Sequence, residues 1–597
     1  MTSATERALH WLAEFSAALD RQDVDAAAAL FDGSECFWRD ILSFTWNYKT
    51  VEGRAAIAEM LRGTLSETKP SGWRIDGEAT GDEAMTEAWL LFETATGRGK
   101  GYLRLKHGKA WTLLTTLQEL KGHEEKKGPR RVKGVEHGAR KNRETWLEGR
   151  EKEVRELGYK TQPYCLVIGG GQGGIALGAR LRRLGVSTII VESNKRPGDS
   201  WRKRYRTLCL HDPVWYDHLP YLPFPDDWPI FAPKDKIGDW LEMYTRIMEL
   251  NYWTDTVCKS AKFDAKKKEW VVKLVRKGKP VVLRPKQLVL ATGLSAVPNV
   301  PKFKGASSFK GEQHHSSKHS GLDKYRGKKV VVIGSNNSAH DISAALWEVG
   351  ADVTMVQRTS THIARSDTLM ELEAGPLYSE AAVAKGIDVN KADLLYASTP
   401  YKVMARGLIE VHKAIKARDA AFYERLERAG FMHDWGDDGS GLHMKYLRRG
   451  SGYYIDVGAS DLVCDGKIKL KSGVTVSEIL PNGVLLSDGS KLKADLIVYA
   501  TGYGNMVGWV AQLISPEVAE KVGKCWGLGS DTTKDPGPWE GELRNMWKPL
   551  HQENLWMHGG NLHQARHHSQ FLALQLKARQ EGIATPVYGM EPVHHLS

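Results

Sequence analysis

The chain has 597 residues, of which 41% are apolar and 26% charged, a composition that excludes wholesale disorder. Its length predicts about three to five domains. Six cysteines are scattered without a C-x-x-C pair, which excludes a disulfide framework, a zinc ribbon and a dithiol redox centre. No run of ~18 apolar residues is present, so no membrane span is expected. The N-terminus carries charges where a signal peptide needs an apolar stretch, and a cytoplasmic location is the expectation. The net charge is +12. Half of it lies in Lys121–Arg143, where nine Lys/Arg face three Glu. Such a run reads as a solvated linker rather than a nucleic-acid surface.

Residues 1–120 form the first predicted unit. Ala4–Leu30 has helical apolar spacing through Leu9, Leu12, Phe15 and Leu19, and Gly53 opens a second helix. From Gly72 to Leu120 the pattern turns strand-like. Helices followed by a sheet predict an α+β domain. Residues 121–160 read as the basic linker running into an amphipathic helix at about 143–157.

From Tyr164 the texture changes to strand, glycine turn, helix, strand, and the same plan returns at Lys328. Each copy is followed by a hairpin and a short apolar strand. This duplication predicts two Rossmann-type dinucleotide-binding domains in an α/β chain. One occupies 161–325 and resumes at 488–597; the other spans 326–487.

Gly169, Gly171 and Gly174 fit G-x-G-x-x-G: a tight turn, close approach of a pyrophosphate, and helix–strand packing. Glu192 ends the next strand, 23 residues after Gly169, and its carboxylate suits a ribose hydroxyl pair. The second loop has Gly334, then Asn336 and Ala339 at the places of the second and third glycines. Asn tolerates a left-handed backbone better than most residues. Arg358 follows Gly334 by 24 residues and suits a 2′-phosphate. The first site therefore suits FAD and the second NADPH. Two such sites imply hydride transfer between their occupants. With no dithiol, the electrons must go to oxygen, a substrate or a partner protein.

The run Phe309–His319, FKGEQHHSSKH, resembles the fingerprint F-x-G-x-x-x-H-x-x-x-aromatic of the flavin-containing (class B) monooxygenases. Phe309, Gly311 and His315 match, and His319 replaces the aromatic residue. A metal reading of His314, His315 and His319 lacks a carboxylate or Cys to complete it, and no metal is expected. GDSW at Gly198–Trp201, GSNNSA with Ser338, the ATG motifs carrying Thr292 and Thr501-Gly502, and GGNL at Gly559–Leu562 resemble further family motifs in order. The resemblance covers about 161–590.

It implies an FAD- and NADPH-dependent enzyme, similar to N,N-dimethylaniline monooxygenase, that inserts one oxygen atom from O2 into a small organic substrate through a flavin hydroperoxide. N- or S-oxygenation is the favoured chemistry. A Baeyer–Villiger or YUCCA-like 2-oxo-acid enzyme is the alternative, and a flavin-binding sensor or assembly protein a remoter one. His211 stands where the heteroatom-oxidising branch carries Asn beside the flavin, so His211 and His315 are the candidate catalytic residues. His563, His567 and His568 are expected near the flavin. The aromatic run Trp215, Tyr216, Tyr221, Phe224, Trp228 and Phe231 is expected to pack over it and wall the substrate pocket.

Residues 1–120 resemble the NTF2-like (SnoaL-like) cone fold, with Trp38, Asp40 and Trp46 as candidate pocket residues; a hydrogen-bonded structural role is the other reading of Asp40. That likeness implies a homodimer through this domain. The linker and the complete two-nucleotide core predict that 1–120 is separable.

Overall fold

The computed structural model describes residues 2–134, 137–294, 297–320 and 323–593. Residues 135–136 of the basic linker lie outside it. The N-terminal helical stretch is two helices, Ala4–Asp20 and Val24–Ala29. Gln22 takes φ 55° between them, and the Asp23 side chain accepts from Ala26 N–H to restart the helix. Helix Arg54–Thr68 follows at Gly53 as expected.

A seven-stranded sheet completes this α+β unit. Its strands from Ser71 to Leu120 match the alternating pattern, but two others, Phe37–Ile41 and Tyr48–Glu52, gave no sequence signal. Phe37–Ile41 pairs in parallel with Lys109–Leu120. All five of its residues are buried, Arg39 and Asp40 included. Trp38, with Phe15, Phe31 and Phe44, fills the interior of the unit. The other face of the sheet meets the rest of the chain. There Ile41, Tyr48 and Leu117 share one core with Trp547 and Phe571.

The amphipathic helix of the linker is Trp146–Glu156. A capping box between Thr145 and Glu148 starts it.

The two dinucleotide-binding domains repeat one design. The first has five parallel strands in the order Tyr252–Trp253, Thr188–Val191, Cys165–Ile168, Gln287–Leu290, Leu555–Met557. The second has Lys469–Ser472, Asp352–Gln357, Lys329–Ile333, Leu496–Tyr499, Glu312–His315, also parallel. Each carries a three-stranded antiparallel meander before its last common strand. In each sheet the first strand lies beside a crossover strand, which puts the ligand crevice at the strand C-termini.

A helical insertion within the second domain had no place in the sequence reading. It includes helices Val389–Ala397, Tyr401–Arg418 and Gly441–Arg449. It also receives the N-terminal unit: Arg39 donates to the Ala397 carbonyl, and Arg104 to the carbonyl and hydroxyl of Ser398. Lys402–Glu52 and Arg406–Glu35 are ion pairs at its rim. No helix among the described residues is long and apolar enough to cross a membrane.

Candidate active site

Strand Cys165–Ile168 delivers the chain into the first glycine loop. Gly169 has φ 110°, and a Cβ there would lie 2.3 Å from the Ala291 carbonyl oxygen. A Cβ on Gly174 would lie 2.0 Å from the Gly169 oxygen. Both positions are closed to a side chain by the protein itself. Gly171 is different: a Cβ on it would meet no protein atom within 4 Å, so the space beside it is free for a ligand. Gly171 is the N-cap of helix Gln172–Arg183 and supplies no side-chain cap.

The second loop is a near copy. A Cβ on Gly334, at φ 130°, would lie 2.2 Å from the Ala500 oxygen. Asn336 caps helix Asn337–Glu348 at φ −93°, so the left-handed backbone anticipated for it is not needed. Asn is a strong capping residue, yet this one makes no cap hydrogen bond. Its Oδ1 accepts instead from Thr361 Oγ1 at 3.1 Å. Ala339 is fully buried, where the third glycine stands in the first loop.

Both dinucleotide helices thus begin with N–H groups that no side chain caps, whereas helix Leu562–Gln580 has a full capping box from Asn561. Uncapped N–H groups and the positive dipole end are what a pyrophosphate requires. They open on one cleft of about 670 Å³. Gly169, Gly171, Glu192, Trp201, Thr292, Asn336, Ser338 and Gly502 line it, together with Gly559 and Asn561. Glu192 accepts from Gly170 N–H at 3.0 Å and from Asn194 N–H at 2.7 Å, which aims its carboxylate across the loop. Thr292 Oγ1 is buried without a hydrogen-bond partner, a donor and acceptor left for a ligand. The residues present therefore fit two dinucleotides.

Other expected site residues lie elsewhere. Arg358 is exposed just beyond strand Asp352–Gln357, outside the cleft lining. Thr501 turns away, its hydroxyl donating to the Asn299 carbonyl at 2.5 Å. His315 sits behind the cleft. Its Nδ1 accepts from Ser317 N–H at 3.1 Å and its Nε2 lies 2.9 Å from the Gly502 carbonyl. Both nitrogens face backbone groups, which ties His315 to the Gly502 loop. Burial also pushes its pKa down. His319 is buried against His314, Nδ1 to Nε2 at 3.1 Å.

His211 lines a recess of about 250 Å³ that shares Trp201, Ser338, Tyr446 and Asn561 with the cleft. Its Nε2 is 3.5 Å from Asp341. Burial raises the pKa of both Asp341 and Asp212. Tyr205, Tyr216, Tyr446 and Tyr453 supply the aromatic wall. Of the proline-laced aromatic run, Tyr216 reaches this recess. Phe224 and Trp228 stack on each other at 4.5 Å and Tyr221 lies under Arg183, away from it.

Sequence reasoning missed Glu373, on a π-helical turn at Met370–Ala374. Its Oε1 lies 3.6 Å from His443, a residue of the recess. Burial pushes its pKa up to about 7 and that of His443 down to about 4. Nothing local marks Glu373, because its burial comes from packing between distant segments.

The C-terminal histidines do not reach the cleft. His568 stacks on Trp547 at 3.7 Å and lies 3.1 Å from the Tyr48 hydroxyl, and His563 stacks on Tyr216 with Nε2 3.3 Å from Asp393. They seal the seam beneath the N-terminal unit. In that unit Asp40 accepts from Phe44 N–H, Thr45 N–H and the Thr45 and Thr115 hydroxyls. Trp38 donates to Thr115 Oγ1 and Trp46 packs in the seam. These three residues are buried and hold the unit together.

Residues 166–380 match the family model of the pyridine nucleotide-disulphide oxidoreductases. The chain is 30% identical over 374 residues to indole-3-pyruvate monooxygenase YUCCA1 of Oryza sativa subsp. japonica, covering 62% of this chain and 81% of that protein. It is 28% identical over 354 residues to probable indole-3-pyruvate monooxygenase YUCCA7 of Arabidopsis thaliana, covering 58% and 76%. Among solved structures, OTEMO in complex with FAD and NADP aligns with a TM-score of 0.51 at 18% identity, covering 71% of this chain and 86% of that one. ε-Caprolactone-bound cyclohexanone monooxygenase gives 0.51 at 18%, covering 70% and 88%. The fold, and the one cleft on which both glycine loops open, define a two-dinucleotide flavoenzyme. Within that class, the chain belongs to the flavin-dependent monooxygenase family, whose cofactors are FAD and NADPH.

Proposed function

We propose that the protein is an NADPH- and O2-dependent flavoprotein monooxygenase that inserts one oxygen atom into a small organic substrate held beside His211. The observation that carries this is the pair of helices at Gly171 and Asn336, both without a side-chain cap, opening on one cleft. FAD belongs on the Gly169–Gly174 loop with its ribose on Glu192. NADPH belongs on the Gly334–Ala339 loop, with Arg358 as the cation for its 2′-phosphate. When bound, the flavin reduced by NADPH supplies the oxygen activation. This chain's own residues hold the two nucleotides, exclude water and present a hydrogen-bond donor at His211.

N- or S-oxygenation is favoured. Asp212, Asp341 and four tyrosine rings around His211 suit a basic or soft heteroatom better than an anion. The second reading is a 2-oxo-acid monooxygenase. Its support is the 30% identity to a YUCCA protein and Arg204, which lines both cleft and recess. Incubating the FAD-loaded protein with NADPH, O2 and matched amines, sulfides, ketones and aryl 2-oxo acids tests both. Oxygenated amine or sulfide supports the first reading and oxidative decarboxylation the second. Slow or absent NADPH oxidation with every substrate would point to a flavin-binding sensor and refute both.

Residues 1–120 are assigned an NTF2-like architecture on their helix order and seven-stranded sheet. One face of that sheet is occupied within the chain, so a homodimer through this unit would use its remaining surface. Sedimentation velocity of the whole chain decides between monomer and dimer.

A further inference from the structure

A cavity of about 490 Å³ lies where the N-terminal sheet, helix Gln172–Arg183, helix Val389–Ala397 and helix Leu562–Gln580 meet. It shares no lining residue with the nucleotide cleft or the His211 recess. Its size is that of a small-molecule site.

Its polar groups are unevenly satisfied. Every carboxylate in the lining has a close cation: Glu93 with Lys121 at 2.9 Å, Glu119 with Arg130 at 2.7 Å, Glu124 with Arg98 at 2.8 Å, Glu125 with Lys127 at 3.3 Å and Asp393 with Arg566 at 2.8 Å. On the cationic side the exposed Arg74 has no close carboxylate among the described residues either, but Arg180 is buried. It is 9% exposed, its Nε has no hydrogen-bond partner, and its nearest carboxylate, Glu125, is 4.0 Å away. It rests on the Tyr221 ring at 4.6 Å. His567, 6% exposed, also leaves Nε2 unpartnered. A buried guanidinium Nε without a hydrogen-bond partner is costly, and a carboxylate is a group that matches it. Leu91, Leu184, Leu394 and Leu574 give the wall an apolar part.

We propose that this cavity binds a small carboxylate with an apolar body, its head group on Arg180 and its body against these leucines. Binding there would bridge the N-terminal unit to the first dinucleotide helix, at the end opposite its phosphate-facing N-terminus.

Octanoate is the probe, titrated calorimetrically into the full-length FAD-loaded protein, with octanol and octylamine as neutral and cationic controls of equal length. Saturable binding of octanoate alone is expected, at about one per chain. Arg180→Gln should weaken it by about ten- to a hundredfold, the worth of a charge-assisted hydrogen bond. Asn390→Trp, at an exposed lining position, should abolish it by filling the mouth, and decides the matter if Arg180→Gln does not fold. His211→Ala should leave octanoate affinity unchanged, because His211 lines the other recess. Absence of saturable octanoate binding overturns the proposal. So does equal binding of octanol or octylamine, or binding lost in His211→Ala but kept in Asn390→Trp.

Discussion

At Gly171 and Gly174 the same residue type does two different jobs, and substitutions separate them. A side chain at 174 collides with the backbone of Gly169, whereas one at 171 enters the open space proposed for the pyrophosphate. Gly171→Val should therefore fold with near wild-type circular dichroism and melting temperature in the flavin-free state, yet purify without flavin absorbance. Retention of stoichiometric FAD by Gly171→Val would refute the placement of the pyrophosphate. Glu373 gives a pH test at the same scale. Burial raises its folded-state pKa to about 7 from 4.5, so the folded state holds the proton more tightly than the unfolded one. Its contribution is most favourable below the ordinary Glu range and is lost as pH rises through about 7. Glu373→Gln removes that loss. Its stability relative to wild type should increase as pH rises from about 5 to about 8, by on the order of 2–3 kcal/mol. Denaturant melts across that range check it, and a constant difference would mean that the carboxyl is already neutralised by other means.

At the scale of the element, strand ends and loops carry the proposed specificity. Arg358 follows its strand into solvent, and its proposed contact with a 2′-phosphate needs no rearrangement of the core. Arg358→Ala should weaken NADPH about ten- to a hundredfold and leave NADH nearly unchanged; equal loss for both, read from reduction kinetics, would remove Arg358 from the assignment. The loop at Leu208–Pro213 places His211 at the recess rather than at the nucleotides. His211→Ala should leave anaerobic flavin reduction by NADPH close to wild type, while product per NADPH falls and released peroxide rises. A donor aimed at developing charge is worth about 3–4 kcal/mol in other enzymes. Unchanged coupling with a verified substrate would reduce His211 to a packing residue.

At the scale of the whole molecule, the N-terminal unit is packed into the rest of the chain, which argues against the separability that its linker suggested. Arg39 and Glu542 form a fully buried bidentate pair, both contacts at 2.7 Å, which Thr50 completes. Tyr48, Trp46 and Leu117 share a core with Trp547 and Phe571. A chain beginning near residue 140 would expose that core and leave Glu542 buried without its cation. It should be insoluble or lose cooperative unfolding. Arg39→Met alone should cost about 3–5 kcal/mol, the penalty for stranding one member of a buried pair. A truncated chain that stays soluble, binds FAD and is reduced by NADPH at the full-length rate would show that the seam is dispensable.

The sequence by itself determined what is written in short-range spacing. The duplicated strand–glycine turn–helix–strand plan, Glu192 and Arg358 at corresponding strand ends, and the capped linker helix all depend on residues a few positions apart. Steric rules act directly at that range, as at Gly169 and Gly334. The tertiary structure alone decided features that need partners hundreds of residues away. Phe37–Ile41 reads as polar because of Arg39 and Asp40. It becomes a buried strand only because Glu542 neutralises the first, and Thr115 and the Phe44–Thr45 backbone satisfy the second. His315 matches a family motif, but only the fold sets it against the Gly502 carbonyl and Ser317. Thr501 is spent on Asn299. The Arg180 cavity has no local signature, because four segments must converge before a buried guanidinium Nε is left without a hydrogen bond. Burial of a charged group is a property of its distant neighbours, and a linear pattern records only the near ones.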